Sequence, residues 1–164
     1  VDTMSRLPSL PEYYYLAVAW TLKRVARALD YAHSQGVVHG KISLSNLIMN
    51  PKEEPQIIGF GEGTSTDLVN KKIADVVEFS RCAYQAITFR AFKESGDFIP
   101  PNIIRPECPD FLNTFCEKTL NGPDRSQLSM ALIVELLTKP KKSDSSTREP
   151  SSLRALFSRF SGNH

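Results

Sequence analysis

The chain has 164 residues, 41% hydrophobic and 23% charged, with a formal net charge of +2. That size and apolar content suit one folded domain with a real core and exclude a disordered chain or a coiled-coil rod. The charge is uneven: from Lys139 onward, Lys139, Lys141, Lys142, Arg148, Arg154 and Arg159 oppose Asp144 and Glu149, a net of +4 that leaves −2 for the residues before. A tail this mildly basic lacks the dense Lys/Arg stripe of a nucleic-acid footprint, so nucleic acid is not an expected partner.

Pro8 and Pro11 bracket a turn. Leu22, Val25, Ala26 and Leu29 then fall at helical spacing and predict a helix running to about His33, with Gly36 as its cap. Short β-rich runs follow at Val37 and Val38, at Leu47 to Met49 and at Gln56 to Ile58, each suited only to a small hairpin. Ile73, Val76, Val77, Ala83, Tyr84 and Ile87 predict a central helix that ends before Lys93. Pro100, Pro101, Pro106 and Pro109 mark an irregular connector. Phe111, Leu112, Phe115, Cys116 and Leu120 give another helical stripe, and Leu128, Ala131, Leu132 and Leu136 a last one before Pro140.

Beyond Pro140 the composition turns Ser-rich and charged, which reads as a linker. It leads to a short amphipathic segment whose Leu153, Leu156, Phe157 and Phe160 share one helical face and are candidate partner or membrane contacts. The longest stretches free of Lys, Arg, Asp and Glu fall short of the roughly 20 apolar residues that span a bilayer. Cys82, Cys108 and Cys116 are odd in number and show no C-x-x-C pairing with nearby His, which argues against a disulfide framework and a zinc site. A reducing, cytoplasmic location is the expectation. Val1 is not an initiator Met, so the chain reads as an excised or processed fragment, and no signal peptide is visible.

One constellation carries chemical information. The run from Tyr31 to Leu47 contains His39-Gly40-Lys41 and, five residues after Lys41, Asn46. Thirteen residues after Asn46 comes Gly59-Phe60-Gly61, preceded by Ile57-Ile58. Farther on stand Asp75-Val76-Val77-Glu78-Phe79-Ser80 and Asp124-Arg125. In order and spacing this resembles the C-terminal lobe of Hanks-type serine/threonine protein kinases over roughly Leu16 to Pro140. There the catalytic loop reads H-R-D-x-x-x-x-N, and D-F-G follows it.

The resemblance places His39 at the His position, Gly40 at the Arg, Lys41 at the catalytic Asp and Asn46 at the metal-binding Asn. Gly59 stands where the magnesium-binding Asp belongs. Asp75 stands where an Asp ties the catalytic-loop backbone, and Arg125 where an Arg pairs with the Glu of A-P-E. The chain holds no Gly-rich phosphate loop, no strand with the ATP-binding Lys and no helix αC Glu. Thirteen residues separate Gly61 from Asp75, with no A-P-E among them.

Phosphoryl transfer relies on positioning and on neutralising charge with magnesium and fixed cations. An ammonium at Lys41 has no lone pair to accept a hydroxyl proton, Gly59 offers no side chain to a metal, and Asn46 alone is a weak ligand for a hard cation. The fold that the resemblance implies is mainly α, classed α+β: a helical kinase C-lobe over residues 16–140 with a few very short hairpin strands and no N-lobe. An extension at 1–15 precedes it and a basic tail at 141–164 follows. The expected role is that of a catalytically inactive pseudokinase, without cofactor or metal, that binds proteins as a scaffold, allosteric regulator or decoy. Its expected partner is an active kinase, a missing N-lobe or a second copy of itself.

Two alternatives stand beside this reading. In one, the chain is half of a split kinase with atypical nucleotide binding once an N-lobe is supplied. In the other, it is a membrane-proximal regulatory domain tethered by its basic tail. Individual residues carry structural expectations: His39 packs on the loop and bonds backbone carbonyls, Asp75 is a buried acceptor for backbone N–H groups, Phe60 is a core aromatic, and His33 lies on a helix surface. Lys41 is either solvated or paired with Glu62.

Overall fold

The computed structural model describes residues 8–61 and 67–139. Helix α1, Glu12–Ser34, is the longest element and starts well before the stripe that predicts it. Pro11 holds extended backbone at its N-cap, and Glu12 supplies the negative charge that the first turn favours. Tyr15, Val18, Leu22, Val25 and Leu29 form its buried face. At the other end Gly36, at φ +76°, closes a Schellman motif. Its N–H bonds the His33 carbonyl at 3.1 Å, and the Val37 N–H bonds that of Ala32 at 2.9 Å. The expected strand at Val37 and Val38 therefore does not form, because the Val37 donor closes the helix and Val38 is buried as a single side chain.

A 3-10 turn at Leu44–Asn46 leads into β1, Leu47–Met49, which pairs antiparallel with β2, Pro55–Ile57, with Leu47 opposite Ile57 and Met49 opposite Pro55. The Asn50 side-chain oxygen closes the connection by accepting the N–H groups of Lys52 and Glu54, each at 2.9 Å. One face of this hairpin, with Leu47 and Ile57, packs against the core; the other exposes Ile48.

Helix α2, Leu68–Thr88, begins five residues before Ile73 and crosses the core with Val76, Phe79, Ala83 and Ile87 fully buried. It stops at Phe89, whose left-handed backbone (φ 59°) turns the chain and whose ring stacks on Tyr14 with centroids 5.6 Å apart. The proline-rich connector is not wholly irregular: Pro100 and Pro101 set the N-cap and first position of one helical turn, α3, Pro101–Ile104. Helix α4, Asp110–Cys116, ends in a π-helical turn, Glu117–Asn121, and α5, Met130–Leu136, is capped by the Ser129 hydroxyl on the Leu132 N–H. The described residues are thus mainly α with one two-stranded antiparallel sheet.

Buried polar groups pin the start of α1. Arg105, only 4% exposed, donates to the Pro8 carbonyl at 2.9 Å and lies over the Phe89 ring at 5.0 Å. Glu107 accepts from the Leu10 N–H at 2.9 Å and from the Tyr15 hydroxyl at 3.2 Å. Cys82, Cys108 and Cys116 are buried free thiols. Burial pushes Cys82 and Cys108 up to about 12, with Glu78 and Glu107 adding to the effect, and raises Cys116 well above the usual range. Leu153, Leu156, Phe157 and Phe160 lie outside the described residues, as do residues 1–7 of the 1–15 segment. No described helix is long and apolar enough to cross a membrane.

Leu29 is fully buried between α1 and its neighbours. Leu29→Ala is expected to cost about 3 kcal/mol, read as a lower urea midpoint with an unchanged slope.

Candidate functional site

The stripe that buries α1 continues past Leu29 to His33, four residues on, so this histidine points inward from the last turn. It is 6% exposed, and its Nε2–H donates to Asp75 Oδ2 at 2.8 Å. The surface position expected for His33 is therefore corrected: it lies on the core face, where a polar ring needs a partner. Spacing alone, at i+4 from Leu29 and i+7 from Ala26, carried the signal for it.

Asp75 projects from the buried side of α2 at 2% exposure and accepts two further bonds. The His39 N–H reaches Oδ2 at 2.7 Å and the Gly40 N–H reaches Oδ1 at 2.8 Å. Burial by itself raises the Asp75 pKa, but the hydrogen bond from His33 and the backbone N–H groups of His39 and Gly40 outweigh it and hold the carboxyl below its ordinary value. One carboxylate thus ties the end of α1 and the start of the loop to α2.

His39 is itself fully buried. The Lys41 N–H donates to its Nδ1 at 3.2 Å, which leaves the ring proton on Nε2 to donate to the Ile58 carbonyl at 2.9 Å. Both ring nitrogens are engaged in holding backbone, so neither is available as a base or a metal ligand. Phe60 lies on this ring with centroids 4.6 Å apart but is 43% exposed. The expected core aromatic is instead a lid on His39 at the surface, because residues 58–61 run along the outside of the loop they bond to.

Asn46 ends the 3-10 turn facing that same strand exit. Its Nδ2 donates to the Lys41 carbonyl at 2.8 Å, and its own carbonyl accepts the Ile58 N–H at 2.9 Å. Gly59, at φ +79°, passes so close that a Cβ there would sit 3.4 Å from Asn46 Nδ2 and 3.5 Å from Oδ1. The Gly61 N–H donates to the His39 carbonyl at 2.8 Å. Lys41 is exposed, and its suggested partner Glu62 lies outside the described residues.

His39, Gly40, Lys41, Asn46, Gly59, Phe60, Gly61 and Asp75 are therefore brought to one place. Arg125 is not: it is exposed and lines a separate polar pocket with Arg81 and Glu94.

Chemically, the assembled site offers one amide oxygen, Asn46 Oδ1, beside a glycine, and an ammonium at Lys41. Hard divalent cations take several carboxylate or carbonyl oxygens, and among the described residues no three His, Cys, Asp or Glu side chains gather to hold a metal.

No family model matches the chain. It is similar to a probable inactive leucine-rich repeat receptor-like protein kinase of Arabidopsis thaliana, 35% identical over 69 residues that cover 35% of this chain and 10% of that protein. The chain thus spans about a tenth of the length of the curated relative it matches. A match of this extent supports a kinase-like relationship and nothing finer.

Asp75→Ala strands the donors of His33, His39 and Gly40 and is expected to cost about 3 kcal/mol at neutral pH. Asp75 gives up its proton more readily folded than unfolded, so its stabilisation is complete above the unfolded carboxylate value of about 3.9 and fades as pH falls through the lower native value. The stability gap between the parent chain and the variant is thus expected to narrow below about pH 4, measured by denaturant unfolding at a series of pH values. A gap that stays constant across that range contradicts a charged Asp75.

Proposed function

We propose that this chain is a kinase-like module that does not transfer phosphate and works by binding proteins. The observation that carries the reading is the meeting of Asn46 and Gly59: the two segments approach closely, yet the residue facing the amide has no side chain. Around them the framework bonds from Asp75, His39 and Gly61 are made. The loop is held in shape, while the carboxylates that phosphoryl transfer draws on at positions 41 and 59 are replaced by an ammonium and a hydrogen. The inactive kinase it partly matches is consistent with the same loss.

Binding is the remaining use of such a framework. Ile48 on β1 and Ile58 and Phe60 just beyond β2 are each between 39% and 45% exposed. Exposed side chains of this size offer apolar surface to a partner. In this reading a protein partner, a kinase among the candidates, covers it, residues 16–140 form the binding unit, and the basic segment at 141–164 supplies a second contact.

Two measurements test the proposal. The melting temperature of the chain is expected to be unchanged by ATP, with or without magnesium, and a phosphotransfer assay is expected to give no turnover. Turnover that disappears in Asn46→Ala overturns it, and a magnesium-dependent shift favours an atypical nucleotide-binding half instead. For the binding role, Lys41→Glu or removal of residues 141–164 is expected to change which proteins the chain captures from its native lysate. An unchanged set removes both surfaces as binding sites.

A further inference from the structure

A second cluster of charge lies away from the loop. The side of α2 that carries Arg81, the connector through Lys93, Glu94 and Gly96, and the end of the π-helical turn at Asn121 enclose a polar pocket of about 310 Å³, with Arg125 on its rim. Its lining brings three cations to one carboxylate, that of Glu94. Arg81 is held over the Phe92 ring, 5.9 Å from its centroid, and its Nη1 is fixed by Glu78 at 2.6 Å. Its Nη2 bonds Glu94 at 2.5 Å, and its Nε is buried with no hydrogen-bond partner.

The two carboxylates on Arg81 are unequal. Glu78 comes from the same helix, one turn away. Glu94 reaches in from the connector, its side chain is 70% exposed, and Gly96 at φ +114° turns the backbone just beyond it. A solvent-exposed ion pair of this kind contributes little, so an incoming anion displaces it at small cost. Lys93 and Arg125 are exposed and form no ion pair among the described residues. Asp124, next to Arg125, is turned to the Ser126 N–H at 2.8 Å. Guanidinium groups present planar, paired donors that match carboxylate and phosphate oxygens.

We propose that this pocket binds an oxyanion carried on a peptide, a carboxylate or a phosphate monoester, and that Glu94 is the built-in carboxylate which occupies Arg81 until that group displaces it. Arg125 and Lys93 meet the incoming charge from the rim, and the Arg81 guanidinium receives it at the back. The site stands apart from the loop at 39–46 and holds whether or not the chain transfers phosphate.

The test is an amide NMR titration of the full chain with three capped tripeptides that differ only in a central phosphoserine, glutamate or serine. Saturable shifts centred on Arg81, Glu94, Gly96, Asn121 and Arg125 are expected with the phosphoserine probe, the glutamate probe or both, and which of them binds assigns the source of the anion. Joint replacement Lys93→Ala and Arg125→Ala is expected to weaken binding at least about tenfold, and Glu94→Gln to tighten it about fivefold by removing the competing charge. Failure of both anionic probes to saturate overturns the proposal, as does equal binding of the serine probe or an affinity that Glu94→Gln leaves unchanged or weakens. Should the double variant not fold, the Glu94→Gln comparison decides alone.

Discussion

Three hydrogen bonds converge on the Asp75 carboxylate, from the last turn of α1 and from the first two residues of the loop that follows. A buried carboxylate is tolerated only when its oxygens are satisfied, and here the satisfying donors belong to segments that must otherwise be held by packing alone. Because His39 and Gly40 are anchored, the His39 ring is placed to bond Ile58, and its carbonyl is placed to receive Gly61. The route of the chain out of β2 thus depends on a group that sits on α2. The apolar core sets how α1 and α2 pack; the carboxylate sets what lies at their ends.

The main elements were legible in the residues because the burial of α1, α2 and α4 follows helical spacing, and the Asp75 clamp was legible because the kinase resemblance puts there an acid that accepts backbone N–H groups of the loop. Other features resist such reading. Val37 and Val38 have the composition of a strand, but the donor of Val37 is spent on Ala32 as part of the Gly36 cap, so the local capping motif outweighs their β propensity. Phe60 is apolar yet lies half outside, since which face of residues 58–61 meets solvent is decided by bonds to His39 and Asn46 rather than by its own hydrophobicity. His33 continues the buried stripe of α1, a signal that its spacing from Leu29 carries. Arg105 and Glu107 have no sequence signature; their contacts to Pro8, Leu10 and Tyr15 join positions far apart in the chain.

The loop and the strand exit show a division between backbone and side chain. The backbone interactions that shape the site are made by groups any residue carries, together with Asp75 and the two histidines. In the kinase-like reading we propose, the side chains that would handle charge in a phosphate reaction are a separate set, and it is this set that differs at Lys41 and Gly59. A fold can lose one set and keep the other because they draw on different atoms: replacing an acid at the surface of the loop removes no bond that the core needs. On that proposal, a loop held in shape and the absence of carboxylates at positions 41 and 59 are compatible in one stable molecule.

The three cysteines have a consequence of another kind. Each is free, shielded and held in its protonated, unreactive form by an apolar setting. Cys82 sits on α2, Cys108 in the connector and Cys116 at the end of α4, so three elements of one core each carry a thiol, with Cys108 near enough to Cys116 to help raise it. A disulfide reagent in solution therefore meets them only when the surrounding structure opens. The order in which the sulfurs become modified therefore reads out which element of the core, α2, the connector or α4, yields first.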